Sequence, residues 1–179
     1  ALRLSDLSTQ TINGDIQGLY QQMLDAAIAI MHSDSASVQM LEPDLTTLRL
    51  LAWKGFHPKS ARFWEQVGLD STTSCGAALR SGERFIITDT DHSDLIAGTR
   101  DLEECRRSGI RAMQSTPLIS RSGRLLGMIS THWHRPYEPP AADLQRFDLL
   151  VRQVADVIEH KRVVAALEKS ERLLARAQE

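Results

Sequence analysis

Residues 110–130 read IRAMQSTPLISRSGRLLGMIS. Two apolar-rich runs, 111–119 and 124–133, flank the short joint 120–123. That joint ends in Ser122-Gly123, which is hairpin-turn chemistry, so the stretch predicts two antiparallel strands. Gly127 lies inside the second run, where a lone glycine marks a bulge or a close approach of another backbone. It does not mark a phosphate cradle. Gly76, Gly82, Gly98, Gly109, Gly123 and Gly127 are scattered singly, and no glycine-rich loop opens a helix.

Upstream, apolar residues recur at helical spacing from Ile16 through Leu19, Met23 and Ala27 to Met31, with Asp15 placed to cap. A helix over 15–32 is expected. Two further strands follow at 37–42 and 47–54, joined through Pro43-Asp44. The middle is irregular. It holds a short helix within 58–67, a helix over 74–80 ended by Gly82, a short strand at 85–88 and a helix at 101–107. Strands do not alternate with single helices, which disfavours a doubly wound parallel sheet. The expected class is α+β: an antiparallel sheet with helices on one face.

The end of the chain differs in kind. After Pro139-Pro140 no glycine or proline occurs, so one helix of roughly 38 residues and about 57 Å is expected from Ala141 onward. It carries seven acidic and seven basic residues and is therefore neutral and charge-laced. Leu144, Phe147, Val151, Val154 and Ile158 follow 3,4 spacing, and Val163, Leu167, Leu174 and Ala177 resume it after a five-residue step. That step turns the apolar stripe by roughly 140°, so the two halves are expected to face different partners. The first half packs on the domain or a partner domain. The second leaves as a coiled-coil connector. The organisation expected is a tail at 1–14, a core at 15–139 and the long helix at 140–179.

Composition sets limits on function. The 21 basic and 23 acidic residues leave a charge of −2, with no basic stripe for nucleic acid. No apolar run approaches the ~18 residues of a membrane span, so no membrane insertion is expected. Two cysteines are too few for a disulfide framework, so a reducing, cytoplasmic setting is the default.

Three stretches, LTTLRLLAWKGF at 45–56, TSCGAALRSGERFIITD at 73–89 and the opening 110–130, resemble a GAF domain. The resemblance covers 15–165, and ALEKSER at 166–172 resembles the connector that enters a PAS domain in bacterial sensor kinases. It implies a sheet of five to six strands with terminal helices on one face. A small-molecule pocket would lie under the irregular segment on the other. It also implies a sensory module of a sensor histidine kinase-like protein. Its partners would be a second copy through the terminal helices and a downstream PAS or kinase domain of the same chain.

Candidate ligand contacts are Trp53, Phe63, Trp64, Cys75, Asp89, His92 and Gln114, with Lys54 and Arg84 as further polar candidates. The aromatics supply apolar wall and the others a few polar contacts, the usual composition of a small-molecule site. Phe63 and Trp64 are adjacent on a helix, so only one is expected to face inward. The dimer or signalling stripe comprises Phe147, Val151, Val154, Ile158, Val163, Leu167 and Leu174. No cofactor is required by any motif.

The alternative is an enzyme. Free-methionine-sulfoxide reductases share the GAF fold, with a Cys-Gly pair where Cys75-Gly76 stands and a cysteine where Cys105 lies. The resemblance fails at their final strand, where acidic residues are replaced by Ser130, Thr131 and His132, and at a third cysteine. Arg106 and Arg107 beside Cys105 would lower its thiol pKa. Bilin attachment expects a histidine after the cysteine, whereas Gly76 and Arg106 follow here. His132 and His134 share a strand face and form a two-ligand metal candidate with no identifiable third; otherwise they are a polar strand end running toward solvent. A purely structural dimeriser with a collapsed pocket is the third reading.

Overall fold

The computed structural model describes residues 16–178. The tail expected at 1–14 and the capping Asp15 lie outside the described residues. The elements, in order, are α1 (Ile16–Met31), β1 (Ser35–Leu41), β2 (Leu48–Lys54), α2 (Pro58–Phe63), β3 (Gln66–Val67), α3 (Ser74–Ser81), β4 (Phe85–Ile87), α4 (Arg100–Arg107), β5 (Ala112–Ile119), β6 (Leu125–Trp133) and α5 (Ala141–Ala177). A 3-10 turn, Thr90–His92, precedes α4. Every predicted element is present. The two-residue β3 and the 3-10 turn were not foreseen, because segments this short carry no periodicity.

The strands form one antiparallel sheet in the order β3-β2-β1-β6-β5-β4. The hairpin predicted at 110–130 joins its β5 and β6. Alternation of side chains along the strands divides the interior in two. On one face Ala36, Val38, Ile129 and Trp133 meet α1 and the first half of α5. On the other, Leu48, Met113 and Met128 lie beneath α2, α3, α4 and their loops. Trp133 ties the layers together, its Nε1 donating to Met31 O at the end of α1 (3.1 Å).

Gly127 shows the close approach that its position predicts. It pairs with Met40 of β1 and Leu118 of β5. A Cβ built there would stand 2.0 Å from Gln39 O, a backbone atom that cannot swing aside. Gly127→Ala is expected to destabilise the fold by about 3 kcal/mol through overpacking. A urea unfolding midpoint measures it, and an unchanged midpoint would contradict the packing.

Helix α5 is a single element across the predicted step, and its surroundings change there. Asp143, Phe147, Leu150, Val154, Ala155, Val157 and Ile158 are buried, while Leu144 and Val151 are only half-buried. The buried line thus runs through Leu150 and Val157 more than through Leu144 and Val151. A helix packed against both α1 and the sheet buries a wider stripe than a two-position seam. Phe147, Val154 and Ile158 are spent inside the protein. Arg162 closes this half, its Nη2 donating to Leu41 O (2.7 Å) and Leu126 O (3.4 Å) at the sheet end. From Val163 onward every described residue is exposed, including Leu167 (58%) and Leu174 (63%). No helix among the described residues is long and apolar enough to cross a membrane.

Candidate functional site

The face of the sheet turned away from α1 and α5 carries an unusual set of side chains. Ser37 and Gln39 on β1 and Ser130 and His132 on β6 point to the same side as Met113 on β5. With Thr73, Ser74 and Cys75 at the start of α3, and Phe56, Trp64, Leu50 and Ile110, they enclose a cavity of about 20 Å³. By the reach of a water-sized sphere that is room for about one water.

The lid over this cavity is held by one carboxylate. Asp101 on α4 accepts from Trp64 Nε1 (3.0 Å) on Oδ1 and from Thr72 N and Thr72 Oγ1 (both 2.8 Å) on Oδ2. α4, the end of α2 and the loop before α3 therefore meet at Asp101. Thr73 caps α3, and its Oγ1 also lies 2.8 Å from Cys75 Sγ. Gly76 lets the helix start beneath this loop, since a Cβ there would stand 2.3 Å from Ser71 O. Inside, the hydroxyls of Ser74, Ser115 and Ser130 form a chain of 2.8 and 2.6 Å contacts.

Some buried polar atoms lack partners. Gln39 Oε1 and His132 Nδ1 on the cavity wall are buried without a hydrogen bond, as is Ser35 Oγ at the start of β1. Such atoms are uncommon in folded proteins and cost stability unless a water or ligand meets them. Burial holds the His132 imidazole neutral, pushing its pKa down to about 3. The ring stands edge-on to Phe56 with centroids 4.9 Å apart.

Of the predicted contacts, Trp64 and Cys75 line the cavity. Trp53 backs its wall from outside, stacked on Phe56 at 5.9 Å. Trp64 is the inward member of its pair; Phe63 is half-buried beneath the Arg100 guanidinium, 5.0 Å from its ring centre. Asp89 and His92 do not reach the cavity. They belong to a surface ion cluster in which Asp89 meets His92 Nδ1 (2.7 Å) and Arg111 (3.1 Å). The bond to His92, then that to Arg111, holds the Asp89 carboxyl below its usual pKa. Lys54 is paired with Asp25.

Gln114 is on the opposite face, because β5 places Met113 and Ser115 toward the cavity and Gln114 between them. Its Nε2 donates to Thr131 Oγ1 (3.0 Å), and its Oε1 accepts from Thr116 Oγ1 (2.7 Å). Arg84 joins this chain through Thr116 Oγ1 (2.8 Å), pairs with Asp148 and lies 5.9 Å over the Phe147 ring. It connects the segment just after α3 to α5.

Two chemical expectations change. The Cys105 thiol is raised, not lowered, because burial first and the nearby Asp101 next disfavour the thiolate, while the arginines turn outward. Burial, followed in size by the opposing Thr73 bond, also leaves the Cys75 thiol raised. Both thiols stay protonated at neutral pH, the reverse of what a thiolate nucleophile needs. His132 is no solvent-facing strand end. Among the described residues no cluster of three His, Cys, Asp or Glu side chains suits a metal.

Gln39, Ser130, His132 and Asp101 were not among the predicted contacts. Alternation could have aligned Ser130 with His132, and Gln39 stands out as an amide within an apolar strand. Asp101 gives no such signal, because its partners lie 29 and 37 residues away.

Comparison with known proteins places this geometry. A family model described as a GAF domain matches residues 13–159. A domain from a protein assigned as a two-component sensor histidine kinase in Sinorhizobium meliloti 1021 is 22% identical, with a TM-score of 0.69 over 87% of this chain and 99% of that one. The GAF domain of an Acinetobacter phosphoenolpyruvate-protein phosphotransferase is 18% identical, with a TM-score of 0.70 over 91% and 94%. Free methionine-R-sulfoxide reductase from Neisseria meningitidis is 14% identical, with a TM-score of 0.68 over 90% and 89%. These likenesses are of fold. No curated protein matches the chain.

Proposed function

The chain belongs to the GAF domain family, and from that premise we propose that it is a sensory module of a bacterial signalling protein of the sensor histidine kinase type. It binds a small molecule at the cavity, once the lid held at Asp101 parts to admit more than the one water the closed space has room for, and acts by binding, without catalysis of its own. The observation that carries this reading is the cavity wall, where Gln39 Oε1 and His132 Nδ1 are buried and unpartnered. The output leaves through α5. Its first half packs on the back of the same sheet, and its second half is an exposed apolar stripe suited to pairing with a second copy as a coiled coil. Arg84 supplies a mechanical link, since it follows the cavity helix α3 and grips Asp148 and Phe147 of α5. Occupancy then biases two packings of α5, which requires the ligand to bind them unequally. A PAS or kinase domain downstream, in the cytoplasm, is the receiver.

Native mass spectrometry of protein purified from its host tests the binding. A retained non-covalent mass is expected, and only the bare chain, in every preparation, would contradict it. The transmission has its own test. One residue inserted after His160 in the full-length protein turns the exposed stripe by about 100° against the packed half. A changed output is expected, and unchanged output would sink transmission through helix register.

A further inference from the structure

Where the β1–β2 loop, the β5–β6 joint and the exit of α5 meet, the end of the sheet carries an open groove of about 490 Å³. It shares no lining residue with the cavity under the lid. Its volume falls within the roughly 300–1,000 Å³ of small-molecule sites. Three guanidiniums line it, those of Arg49, Arg124 and Arg162, against one carboxylate, Glu42. Glu42 is already committed, its Oε1 accepting from Arg49 Nε (2.6 Å). Arg162 is held in place by neutral acceptors, since its Nη2 donates to Leu41 O and Leu126 O. Those carbonyls fix the guanidinium without cancelling its charge. Glu159, one turn back on α5, offsets part of it. Arg124 is exposed, and its guanidinium has no hydrogen bond or ion pair among the described residues. It also stands close enough to repel Arg162. Burial first, and this like charge next, lower the Arg162 pKa from its ordinary value. An anion between the two would meet both charges and relieve the repulsion.

The rest of the wall is apolar. Met40, Leu41 and Pro43 form it, and Leu45 adds a fourth side chain. Leu45 is 65% exposed and has a left-handed backbone, φ 61°, which a leucine adopts only at a cost. The loop holds it there. Asp44 Oδ1 accepts from Thr46 N (2.9 Å) and Thr47 N (3.0 Å), and Leu45 N donates to Glu42 O (3.0 Å). A small inorganic anion would leave this apolar wall in water. A neutral apolar molecule would leave the charges of Arg124 and Arg162 unmet.

The geometry points to a second ligand site at this groove, for an organic carboxylate with an apolar body. The carboxylate sits between Arg124 and Arg162, and the body covers Met40, Leu41, Pro43 and Leu45. Guanidiniums suit a carboxylate because their paired N–H groups match its two oxygens. Arg162 also closes the packed half of α5, so the site stands where that helix leaves the domain.

Benzoate, benzamide and acetate separate charge from apolar body when added at equal ionic strength to the ¹⁵N-labelled chain. The Nε–H signals of Arg124 and Arg162 and the backbone amides of Met40, Leu41 and Leu45 report binding. Benzoate is expected to shift them to saturation at millimolar concentration, with benzamide and acetate weaker by about tenfold or more. Arg124→Gln alters an exposed, unpaired side chain, so it should keep the fold and weaken benzoate by about tenfold. Arg121→Gln, on the same joint but paired with Asp156, should leave the affinity unchanged. Benzamide or acetate binding as well as benzoate overturns the assignment. An unchanged affinity in Arg124→Gln, an equal loss in both variants, or no saturable shift with benzoate does the same. Shifts of these signals with protein concentration alone would give the groove to a second copy of the chain, which also overturns it.

Discussion

Acidification from pH 6.5 to pH 4 is expected to cost the folded protein about 3 kcal/mol through His132 alone. In the folded chain burial depresses its pKa to about 3 from an ordinary value of 6.5. Below pH 6.5 the unfolded chain therefore takes up a proton that the folded chain refuses. Stability from this group is complete above pH 6.5 and falls as pH drops, until the folded pKa is reached near 3. His132→Phe removes the titration and keeps a ring against Phe56. Urea unfolding across pH 4 to 7 should therefore show a shallower loss in the variant. Parallel curves for the two proteins would mean that the imidazole is not buried neutral.

Phe147→Ala carries an effect of similar size. The ring is fully enclosed between α1, α5 and the sheet, and its removal should cost about 3–5 kcal/mol. That is a large share of the roughly 5–15 kcal/mol that holds a domain folded. Leu149 lies two residues along the same helix but is 59% exposed. Leu149→Ala should stay within about 0.5 kcal/mol of the parent. Equal losses in the two variants would contradict the placement of α5 on the sheet.

These positions also show what the sequence could and could not disclose. The hairpin at 110–130 was legible because a Ser-Gly turn between two apolar runs has few other outcomes. The length of α5 was legible from the absence of glycine and proline after Pro140. Its change of surroundings was legible from the five-residue step, since burial ends between Ile158 and Val163. The site was legible only in part. Trp64 and Cys75 were found because aromatics and thiols attract attention by type. Gln114 was misplaced because one residue along a strand reverses the face. Asp89 and His92 were drawn in by loop position, while they bond each other, and Asp89 also Arg111, at the surface. Gln39 and His132 owe their character to burial, a property of the folded sheet. The thiol chemistry failed for the same reason: Arg106 and Arg107 adjoin Cys105 in sequence, while helix α4 turns them to solvent and the thiol inward.

Amide hydrogen exchange in α5 is the most direct test that the cavity on one face of the sheet governs the helix on the other. It compares the protein as purified from its host with the same protein denatured, dialysed and refolded. Emptying the cavity is expected to change protection in α3 and also along the packed half of α5 between Ala141 and Arg162. Changes confined to α2, α3 and α4, with α5 exchanging identically in both forms, would contradict it.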